Sequence, residues 1–473
     1  PPKQAQWWIN GQKDEGLRAA HIQEGGDPYL ATMLRIYREY EATCERLGVI
    51  DFAELLLRAL ELWKNKPEVL DHYQQRFQHI LVDEFQDTNA VQYAWLRILA
   101  GKVSGVTAVG DDDQSIYGWR GAKVENILSY ERDFSDTHTV KLEQNYRSTS
   151  NILNAANAVI SKNAERLGKS LWTDAGEGEA IALYAAFNEH DEARFIADRL
   201  HSWSNDGNRR EDSAILYRSN AQSRVLEAAL LQADIPYRIY GGQRFYERLE
   251  IKNALSYLRL MLNCHDDVAF ERVVNIPTRG IGDRTLELMR ELAREQQTSM
   301  WGAASLIVKE KRLAARATNA IAVFIELINE MSGQHDELPL AEQAENAIAH
   351  SGLIEMHRRE KGERGQARVE NLEELVSACR NFEAEDNDLP VLPQFLDQVA
   401  LDAGDRQAEE DEDAVQLMTL HSAKGLEFPL VFIAGMEENL FPHKMSIDEP
   451  GRLEEERRLA YVGITRAMQK LYL

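Results

Sequence analysis

The stretch Ile80-Leu81-Val82-Asp83-Glu84-Phe85-Gln86-Asp87-Thr88 decides the fold class, because a short apolar run ends there in two adjacent carboxylates. A run of this length and composition is typical of a buried strand. Two further apolar stretches follow at residues 106–109 and 140–142, and residues 91–99 and 152–160 have helical spacing. Strands that alternate with helices predict a parallel α/β sheet.

The two carboxylates stand where an α/β sheet binds its ligands, at the carboxyl end of a strand. Asp83 can hold Mg²⁺ directly or through water, and Glu84 can orient or deprotonate a water molecule that attacks a γ-phosphate. The alternative is an acidic turn between strand and helix, in which the aspartate only caps the helix. The pair alone does not decide between these two interpretations.

Length and patterning predict several domains. The chain has 473 residues, whereas single hydrophobic cores stop growing at roughly 250–300 residues. Upstream of the acidic strand, residues 29–63 have helical spacing, with a break at Gly48 and a helix cap at Asp51. We therefore expect a helical subdomain before the sheet.

A second α/β set follows the first. It begins with a predicted strand at residues 214–217 and a predicted helix at 222–231. The chain is then mostly helical from about 241 to 403, and strand signals resume at 415–420 and 430–434. The helical block is therefore predicted to be inserted into the second α/β domain.

Charge and composition limit the class of protein. The net charge of −24 argues against nucleic acid as a partner, but net charge does not describe a single groove. The three cysteines are scattered and have neither disulfide nor metal-ligand spacing. Since no apolar run approaches the roughly 18 residues of a membrane span and no signal-peptide pattern occurs, we expect a cytoplasmic protein without a membrane partner. Residues 404–413 hold six acids and one arginine, typical of a solvated linker or an acidic docking tail.

A second polar stretch, VGDDDQSIYGWRG at residues 109–121, also follows a predicted strand. Gln114 can sense a phosphate without carrying charge. Tyr117 and Trp119 beside Arg120 suit stacking on the bases of single-stranded nucleic acid. The alternative for Trp119 is a core position at a domain seam.

Three more stretches carry candidate groups. In LEQNYRS, residues 142–148, Ser148 or Thr149 is expected to cap the next helix. Arg147 then lies at a helix N-terminus, where the dipole disfavours a cation, so an anionic partner such as phosphate or a surface salt bridge would explain it. TLHSAKGLEF at 419–428 is a small polar turn after a strand, and EEERRLAYVGITRA at 454–467 is a charged helix that ends near Arg466. Taken singly, both also suit a solvated surface.

In this order, the five stretches resemble motifs II to VI of the UvrD/Rep/PcrA DNA helicases of superfamily one, with UvrD as the nearest branch. The resemblance runs from end to end of the chain. It implies an α/β fold of two RecA-like parallel-sheet domains, the first incomplete, with two mainly helical inserted subdomains. The implied domains are listed in chain order: helical subdomain 1B at 1–78, RecA-like domain 1A at 79–143, RecA-like domain 2A at 144–240 and 414–473, and helical subdomain 2B at 241–413.

The resemblance also implies a role for each matching residue. ATP and Mg²⁺ would be the cofactors, bound between the two RecA-like domains. The implied nucleotide-site residues are Asp83 for Mg²⁺, Glu84 as catalytic base, Gln114 as the link between γ-phosphate and DNA, Tyr146 on adenine, Arg147 and Arg466 on the γ-phosphate, and Glu427 with Gly425 on the far side of the nucleotide. The implied single-strand track consists of Tyr117, Trp119 and His421.

Further DNA contacts are implied outside these motifs. Thr278, Arg279, Gly280 and Gly282 match a turn that family members use on duplex DNA. Backbone N–H groups at such a helix start can meet a phosphate, or the turn is an ordinary helix hairpin. Arg218 either contacts DNA phosphate or forms an interdomain salt bridge. Residues 357–368 are basic, and we favour a solvated loop over a phosphate patch there.

The implied function is an ATP-dependent 3′-to-5′ DNA helicase that translocates on single strands and unwinds duplexes. Its partners would be single-stranded DNA, single/double-strand junctions and proteins of nucleotide-excision and mismatch repair, with self-association left open. Two alternatives are the helicase part of a RecB-like helicase–nuclease and a non-catalytic DNA-binding scaffold of a repair complex.

The sequence departs from the family at the loop that holds the triphosphate. That loop has the form G-x-x-x-x-G-K-[ST]. The only Gly-Lys-Ser here, at residues 168–170, has Asn163 at the position of the first glycine and follows a predicted helix. We expect the functional loop upstream of Pro1, with this chain as a segment of a longer protein that is inactive on ATP by itself.

Overall fold

The structure is a computed structural model that describes residues 2–101, 105–134, 136–164, 166–334, 338–360, 363–384, 389–404, 412–447 and 451–473. Contacts within the chain divide it into two compact units. The first unit comprises Pro1–Glu192, Trp203–Arg218 and Met418–Leu473, and the second comprises Ala193–Ser202 and Ser219–Leu417.

The first unit opens with helices, as predicted. They are α1 (Pro2–Asp14), α2 (Pro28–Leu47), α3 (Phe52–Asn65) and α4 (Pro67–Arg76). Gly48 ends α2 in the left-handed conformation at φ 66°, where glycine lacks the steric penalty of a Cβ atom. The carboxylate of Asp51 accepts the backbone N–H of Glu54 and so caps α3. The predicted break and the predicted cap are both confirmed.

Two parallel strands follow, β1 (His79–Val82) and β2 (Gly105–Ala108), with Val82 opposite Ala108. The helices that accompany them are α5 (Ala90–Ala100), α6 (Glu125–Leu128) and α7 (Tyr130–Asp133). Both predicted strands and the helix between them are confirmed. Leu81 is 80% exposed, although parallel sheets are usually covered on both faces.

The predicted third strand at residues 140–142 is wrong. This segment is extended but forms no strand, and the nearest pairing is an isolated bridge between Gln144 and Trp172. Val140 and Leu142 are 65% and 77% exposed. An alternating apolar pattern makes a strand only where a neighbouring strand pairs with its backbone, and no described residue pairs with this one.

The second α/β set of the first unit is a parallel sheet between helices. Its elements are α8 (Ser150–Ile160), β3 (Ser213–Tyr217), β6 (Phe428–Ile433), α20 (Lys444–Ile447), α21 (Arg452–Ile464) and β7 (Ala467–Tyr472). Helix α9 (Glu189–Asn205) is divided, since its residues Ala193–Ser202 belong to the second unit. Strand β6 pairs in parallel with β3 on one side and with β7 on the other. All five residues of β3 are buried, as expected for a strand covered on both faces.

The second unit is mainly helical. Its elements are α10 (Ser223–Gln232), β4 (Tyr237–Ile239), α11 (Leu249–Leu262), α12 (Asp267–Val273), α13 (Asp283–Glu295), α14 (Met300–Glu310), α15 (Ala315–Gln334), α16 (Leu340–Ser351), α17 (Leu353–Arg358), α18 (Glu363–Asn381), α19 (Val391–Gly404) and β5 (Val415–Thr419), which passes into the first unit at Met418. Strands β4 and β5 are parallel, with Tyr237 opposite Val415. One apolar core, built around fully buried Phe270 and Phe324, joins α11 to α19.

The α/β class with parallel sheets and a long helical block is therefore confirmed, together with the predicted strands near 214, 415 and 430. The domain boundaries inferred from the resemblance stay predictions. Most of the charged stretch 404–413 lies outside the described residues. Across the described part of the chain, no helix has the length and apolar character needed to cross a membrane.

Candidate functional site

The two predicted carboxylates lie at the carboxyl end of β1, both exposed. Oδ1 of Asp83 accepts the backbone N–H of Glu84 at 2.8 Å. Glu84 itself has a φ of 51°, in the left-handed region, which costs a residue with a Cβ atom about 1–2 kcal/mol. An exposed carboxylate at a strand end suits Mg²⁺, which binds one or two protein carboxylates and keeps several waters. Asp83 therefore fits the predicted ion. The role of Glu84 stays a prediction, and its strained backbone is of the kind that clusters at functional sites.

The ends of β1 and β2 are held together by one buried side chain, that of Gln86. Its Nε2 donates to Glu84 Oε2 at 2.5 Å, and its Oε1 accepts the backbone N–H of Asp111 at 2.9 Å. Gly110 leaves room for this contact, because a Cβ atom there would lie 2.7 Å from Gln86 Oε1 and 2.9 Å from Ile127 Cδ1. Gln86 thus joins Glu84 and the acidic stretch after β2 at one edge of the sheet.

Lys424, to which the sequence assigned no role, links this edge to the turn after β5. Its Nζ lies 3.2 Å from Glu84 Oε2 and 2.6 Å from Asp87 Oδ2. It also donates to the backbone carbonyl of Gln114 at 2.9 Å, and its side chain is only 6% exposed. The signal that could have found it is a lone lysine inside a turn of small residues before Gly425, which has a φ of 85°.

Two arginines that are far apart in the sequence meet at the end of the second sheet. Arg147 Nε donates to Glu427 Oε2 at 2.6 Å, and its Nη1 donates to the Thr465 carbonyl at 3.5 Å. Arg466, 2% exposed, donates from Nη1 to the Leu426 carbonyl at 3.0 Å. Burial, aided by the charge of Arg147, lowers the pKa of Arg466 to about 10. It is still a cation at neutral pH, so two positive charges converge on this edge.

The turn that carries Arg147 is capped differently from the prediction. Thr149 is the N-cap residue of α8, but its side chain makes no capping hydrogen bond. The hydroxyl of Ser148 donates instead to the Ala467 carbonyl at 2.6 Å. Asn145 Oδ1 accepts the N–H groups of Arg147 and Ser148 at 2.9 and 2.8 Å. Thr149 therefore holds the predicted N-cap position, but the predicted capping hydrogen bond is wrong. The Ser148 hydroxyl bonds to β7, and Asn145 organises the turn instead.

The predicted adenine contact and the predicted single-strand track are accessible. Tyr146 is 84% exposed. The rings of Tyr117 and Trp119 lie 6.3 Å apart, and the Tyr117 hydroxyl donates to the His421 carbonyl at 3.3 Å. Trp119 is 45% exposed, so its alternative as a core residue is wrong. The structure brings the three predicted track residues together.

Replacement of Trp119 by alanine is expected to weaken binding of single-stranded DNA by about 5- to 150-fold, because base–aromatic stacking contributes about 1–3 kcal/mol per base. Fluorescence anisotropy with a labelled oligo(dT) measures the change. Trp172→Ala is the control, since Trp172 is 48% exposed and lies outside the predicted track. Equal affinity of Trp119→Ala and the unsubstituted chain would remove Trp119 from the track.

Arg218 has a partner within its own unit. Its Nη2 lies 2.8 Å from Glu456 Oε1, and the side chains of Arg218 and Glu456 are 13% and 5% exposed. A salt bridge is therefore formed, but it lies within one unit rather than between domains as the second interpretation predicted, and it joins the end of β3 to α21. A contact of Arg218 with DNA phosphate stays a prediction.

The predicted duplex-binding turn lies in the second unit, before α13. Thr278, Gly280 and Gly282 are exposed. The side chain of Arg279 turns inward instead. Its guanidinium donates to the carbonyls of Val273, Pro277 and Ser351 at 3.2, 3.1 and 3.1 Å and to the hydroxyl of Tyr257 at 2.8 Å. Arg279 therefore stabilises the turn from within. Its guanidinium group already has protein partners, so a DNA contact by this side chain would have to compete with them.

We expect Arg279→Ala to lower the free energy of unfolding of the second unit by about 3 kcal/mol, because buried carbonyls lose a charged donor. Urea unfolding followed by circular dichroism measures this loss. Arg284→Ala, which replaces an exposed arginine at the start of α13, is expected to leave stability within about 0.5 kcal/mol. An Arg279→Ala protein as stable as Arg284→Ala would show that the inward contacts contribute little.

The Gly168-Lys169-Ser170 sequence does not have the setting of a phosphate-binding loop. It follows α8 and a turn rather than a strand. Its lysine contacts the carboxylates of Asp111 and Asp113. The structure thus gives this lysine protein partners.

Two family models match the chain. The model of the UvrD/REP helicase N-terminal domain matches residues 1–135, and that of the UvrD-like helicase C-terminal domain matches residues 140–473.

Curated relatives match along almost the whole chain. DNA helicase II of Escherichia coli (strain K12) is 62% identical over 475 residues, covering 100% of this chain and 66% of the relative. DNA helicase II of Haemophilus influenzae is 57% identical over 473 residues, covering 100% and 65%. ATP-dependent DNA helicase PcrA of Staphylococcus aureus (strain MRSA252) is 43% identical over 475 residues, covering 98% and 64%. The chain therefore spans slightly less than two thirds of the length of these relatives.

Proposed function

Because the chain belongs to the UvrD/Rep family of helicases, we propose that it supplies the hydrolytic and DNA-contacting parts of an ATP-dependent DNA helicase. The relatives named above are DNA helicases, one of them described as ATP-dependent. The activity, its direction and its cellular role in this protein are part of the proposal.

The turn Lys424–Glu427 is the observation that carries the proposal. At one end Lys424 bonds to Glu84 and Asp87, the carboxylate side of the predicted nucleotide site. At the other end Glu427 bonds to Arg147, on the arginine side. A nucleotide with its phosphates between these groups would compete for both contacts. Nucleotide binding would therefore loosen the link between the two α/β sets.

Each group has a chemical role in phosphoryl transfer. Asp83 would hold Mg²⁺, which when bound supplies positive charge to the phosphate oxygens. Glu84 orients the attacking water and accepts its proton. Arg147 and Arg466 stabilise the negative charge that develops on the γ-phosphate. Tyr146 offers an exposed ring to the base.

The same turn connects hydrolysis to DNA. The ammonium group of Lys424 lies 5.3 Å from the centroid of the Tyr117 ring. Tyr117 in turn contacts Trp119 and the backbone of His421. Displacement of Lys424 by nucleotide binding or hydrolysis would therefore move Tyr117, which directly contacts the other two residues of the predicted single-strand track. We propose that this coupling drives 3′-to-5′ translocation and duplex unwinding during nucleotide-excision and mismatch repair, with repair proteins as partners.

Strand displacement tests the proposed direction. A full-length protein that contains this chain and a phosphate-binding loop is given duplexes with a 3′ or a 5′ single-stranded tail, with ATP and Mg²⁺. Unwinding of the 3′-tailed duplex alone is the expected result. Preference for the 5′ tail would contradict the direction, and absence of DNA-stimulated ATP hydrolysis would contradict the motor itself. A non-catalytic scaffold would bind DNA in this assay and hydrolyse nothing.

A further inference from the structure

Three consecutive aspartates, Asp111 to Asp113, are each bound by a group of one short segment, Arg166 to Lys169. Arg166 Nε and Nη2 donate to Asp113 Oδ1 and Oδ2, both at 2.6 Å. The backbone N–H of Leu167 donates to Asp112 Oδ2 at 2.9 Å. Lys169 Nζ contacts Asp111 Oδ1 and lies 3.6 Å from Asp113 Oδ2. We call the aspartates the acidic triplet and their counterpart the basic segment.

Burial makes this contact specific. Asp113 is 1% exposed and Asp112 is 5% exposed. Arg166 and Asp113 form a bidentate salt bridge, which fixes both the distance and the relative orientation of the two side chains. The hydrogen bond to Asp113 raises the pKa of Arg166, and burial raises the pKa of Asp112. With its carboxylates already bound by protein groups, the triplet is a docking element rather than a metal site.

The acidic triplet leads directly to the predicted phosphate sensor and the DNA track. Gln114 Nε2 donates to Asp111 Oδ2 at 2.7 Å. The backbone carbonyl of Gln114 accepts from Lys424 at 2.9 Å. Tyr117 and Trp119 follow within five residues. The position of the triplet therefore sets the position of all three side chains.

The basic segment contacts Lys141, which precedes the second α/β set, and Tyr461 on α21, which belongs to that set. Lys141 Nζ donates to the carbonyls of Leu167 and Gly168 at 2.9 and 2.6 Å. Lys169 Nζ lies 5.9 Å from the centroid of the Tyr461 ring on α21. The segment thus has its own support and does not simply follow the triplet.

We infer that Arg166 and Lys169 are positioning residues of the proposed motor, which hold the acidic triplet against the second α/β set so that nucleotide binding at Gln114 and DNA binding at Trp119 are coupled. This inference rests on the proposed function. Without the contacts between the acidic triplet and the basic segment, Gln114 would keep its hydrogen bond to Asp111. Residues 111–119 would, however, lose their fixed position relative to Arg147 and Arg466. Hydrolysis would then respond less to DNA.

The test uses Arg166→Gln and Arg166→Lys in a full-length protein that contains this chain and a phosphate-binding loop. ATP turnover is measured with and without oligo(dT), together with KM for ATP. For Arg166→Gln we expect the ratio of DNA-stimulated to unstimulated turnover to fall about tenfold, within the usual range of coupling between sites. KM for ATP is expected to stay within about twofold, because no group that binds the nucleotide is removed. Arg166→Lys keeps the positive charge but cannot form the bidentate pair with Asp113. Its ratio of DNA-stimulated to unstimulated turnover should therefore lie between those of Arg166→Gln and the unsubstituted protein.

The matched control is Arg38→Ala, which removes an exposed arginine–carboxylate pair with side chains 53% and 52% exposed. It should leave the ratio unchanged. Lys169→Met is a second variant for the case that Arg166→Gln lowers the yield of folded protein. It removes the contacts of Lys169 with Asp111, Asp113 and the Tyr461 ring but leaves the Arg166–Asp113 pair in place. Hydrogen exchange of residues 112–119 in each folded variant gives a readout independent of turnover.

Faster exchange at 112–119 together with loss of DNA stimulation would support the inference. A folded Arg166→Gln protein with full stimulation and unchanged exchange would overturn it. An unsubstituted protein without any DNA-stimulated turnover would instead refute the proposed function, and the exchange comparison would still decide the positioning role of Arg166.

Discussion

ATP turnover is expected to be abolished by Glu84→Gln in a full-length protein that contains this chain, while nucleotide binding is kept. Glutamine has the shape of glutamate but can neither accept the proton of water nor attract it by charge. Loss of a positioned general base lowers turnover by about 10²- to 10⁴-fold. Glu84 also lies 3.2 Å from Lys424, so the neutral side chain would weaken the link to the turn after β5 as well.

Steady-state phosphate release with saturating oligo(dT) measures the loss, and a fluorescent nucleotide measures binding. Glu125→Gln is the control, since Glu125 is an exposed glutamate at the start of α6 and its substitution should leave turnover unchanged. Turnover of Glu84→Gln at the unsubstituted rate would remove Glu84 from the mechanism. Loss of nucleotide binding together with turnover would show that the residue holds the site together instead.

The 473-residue chain by itself is expected to show no ATP turnover above background, with or without DNA. Its carboxylates and arginines can meet a nucleotide from two sides, but its sequence has no G-x-x-x-x-G-K-[ST] loop. The backbone N–H groups and the lysine of such a loop cradle the triphosphate. Since removal of a single donor to developing charge already costs about 10²- to 10³-fold, removal of the whole cradle should cost more.

Phosphate release by the purified chain, at high protein concentration and with oligo(dT), decides this prediction. The same chain extended by a phosphate-binding loop is the positive control. Binding of oligo(dT) by the chain alone confirms that the sample is folded. DNA-stimulated turnover without the loop would mean that another part of the chain, such as the Gly168-Lys169-Ser170 turn, holds the phosphates.

Much of the local structure could be predicted because its causes are local. An apolar run that ends in Asp83-Glu84 gives a strand with carboxylates at its end, and Asp51 caps a helix whose start it marks. Short-range patterns fail where long-range pairing decides. Residues 140–142 alternate like a strand but pair with no strand among the residues that the structure describes. The Ser148 hydroxyl bonds to the Ala467 carbonyl instead of capping its own helix.

The candidate site shows the same division. The sequence named Arg147, Arg466 and Glu427 only through their resemblance to family motifs, and their assigned roles stay predictions. It could not show that Lys424 bonds to Glu84, that Arg279 turns inward, or that Arg166 binds Asp113. These contacts join residues far apart in the chain, and the choice of partner depends on packing that no local pattern encodes.

The left-handed backbone at Glu84 has a consequence for how this protein can change. Glycine, or to a lesser degree asparagine, would occupy a φ of 51° at lower cost than glutamate. Random variation filtered for heat resistance alone would therefore favour such replacements at position 84, and each would remove the carboxylate. Directed evolution of a more robust version would have to hold this codon fixed and gain its stability elsewhere.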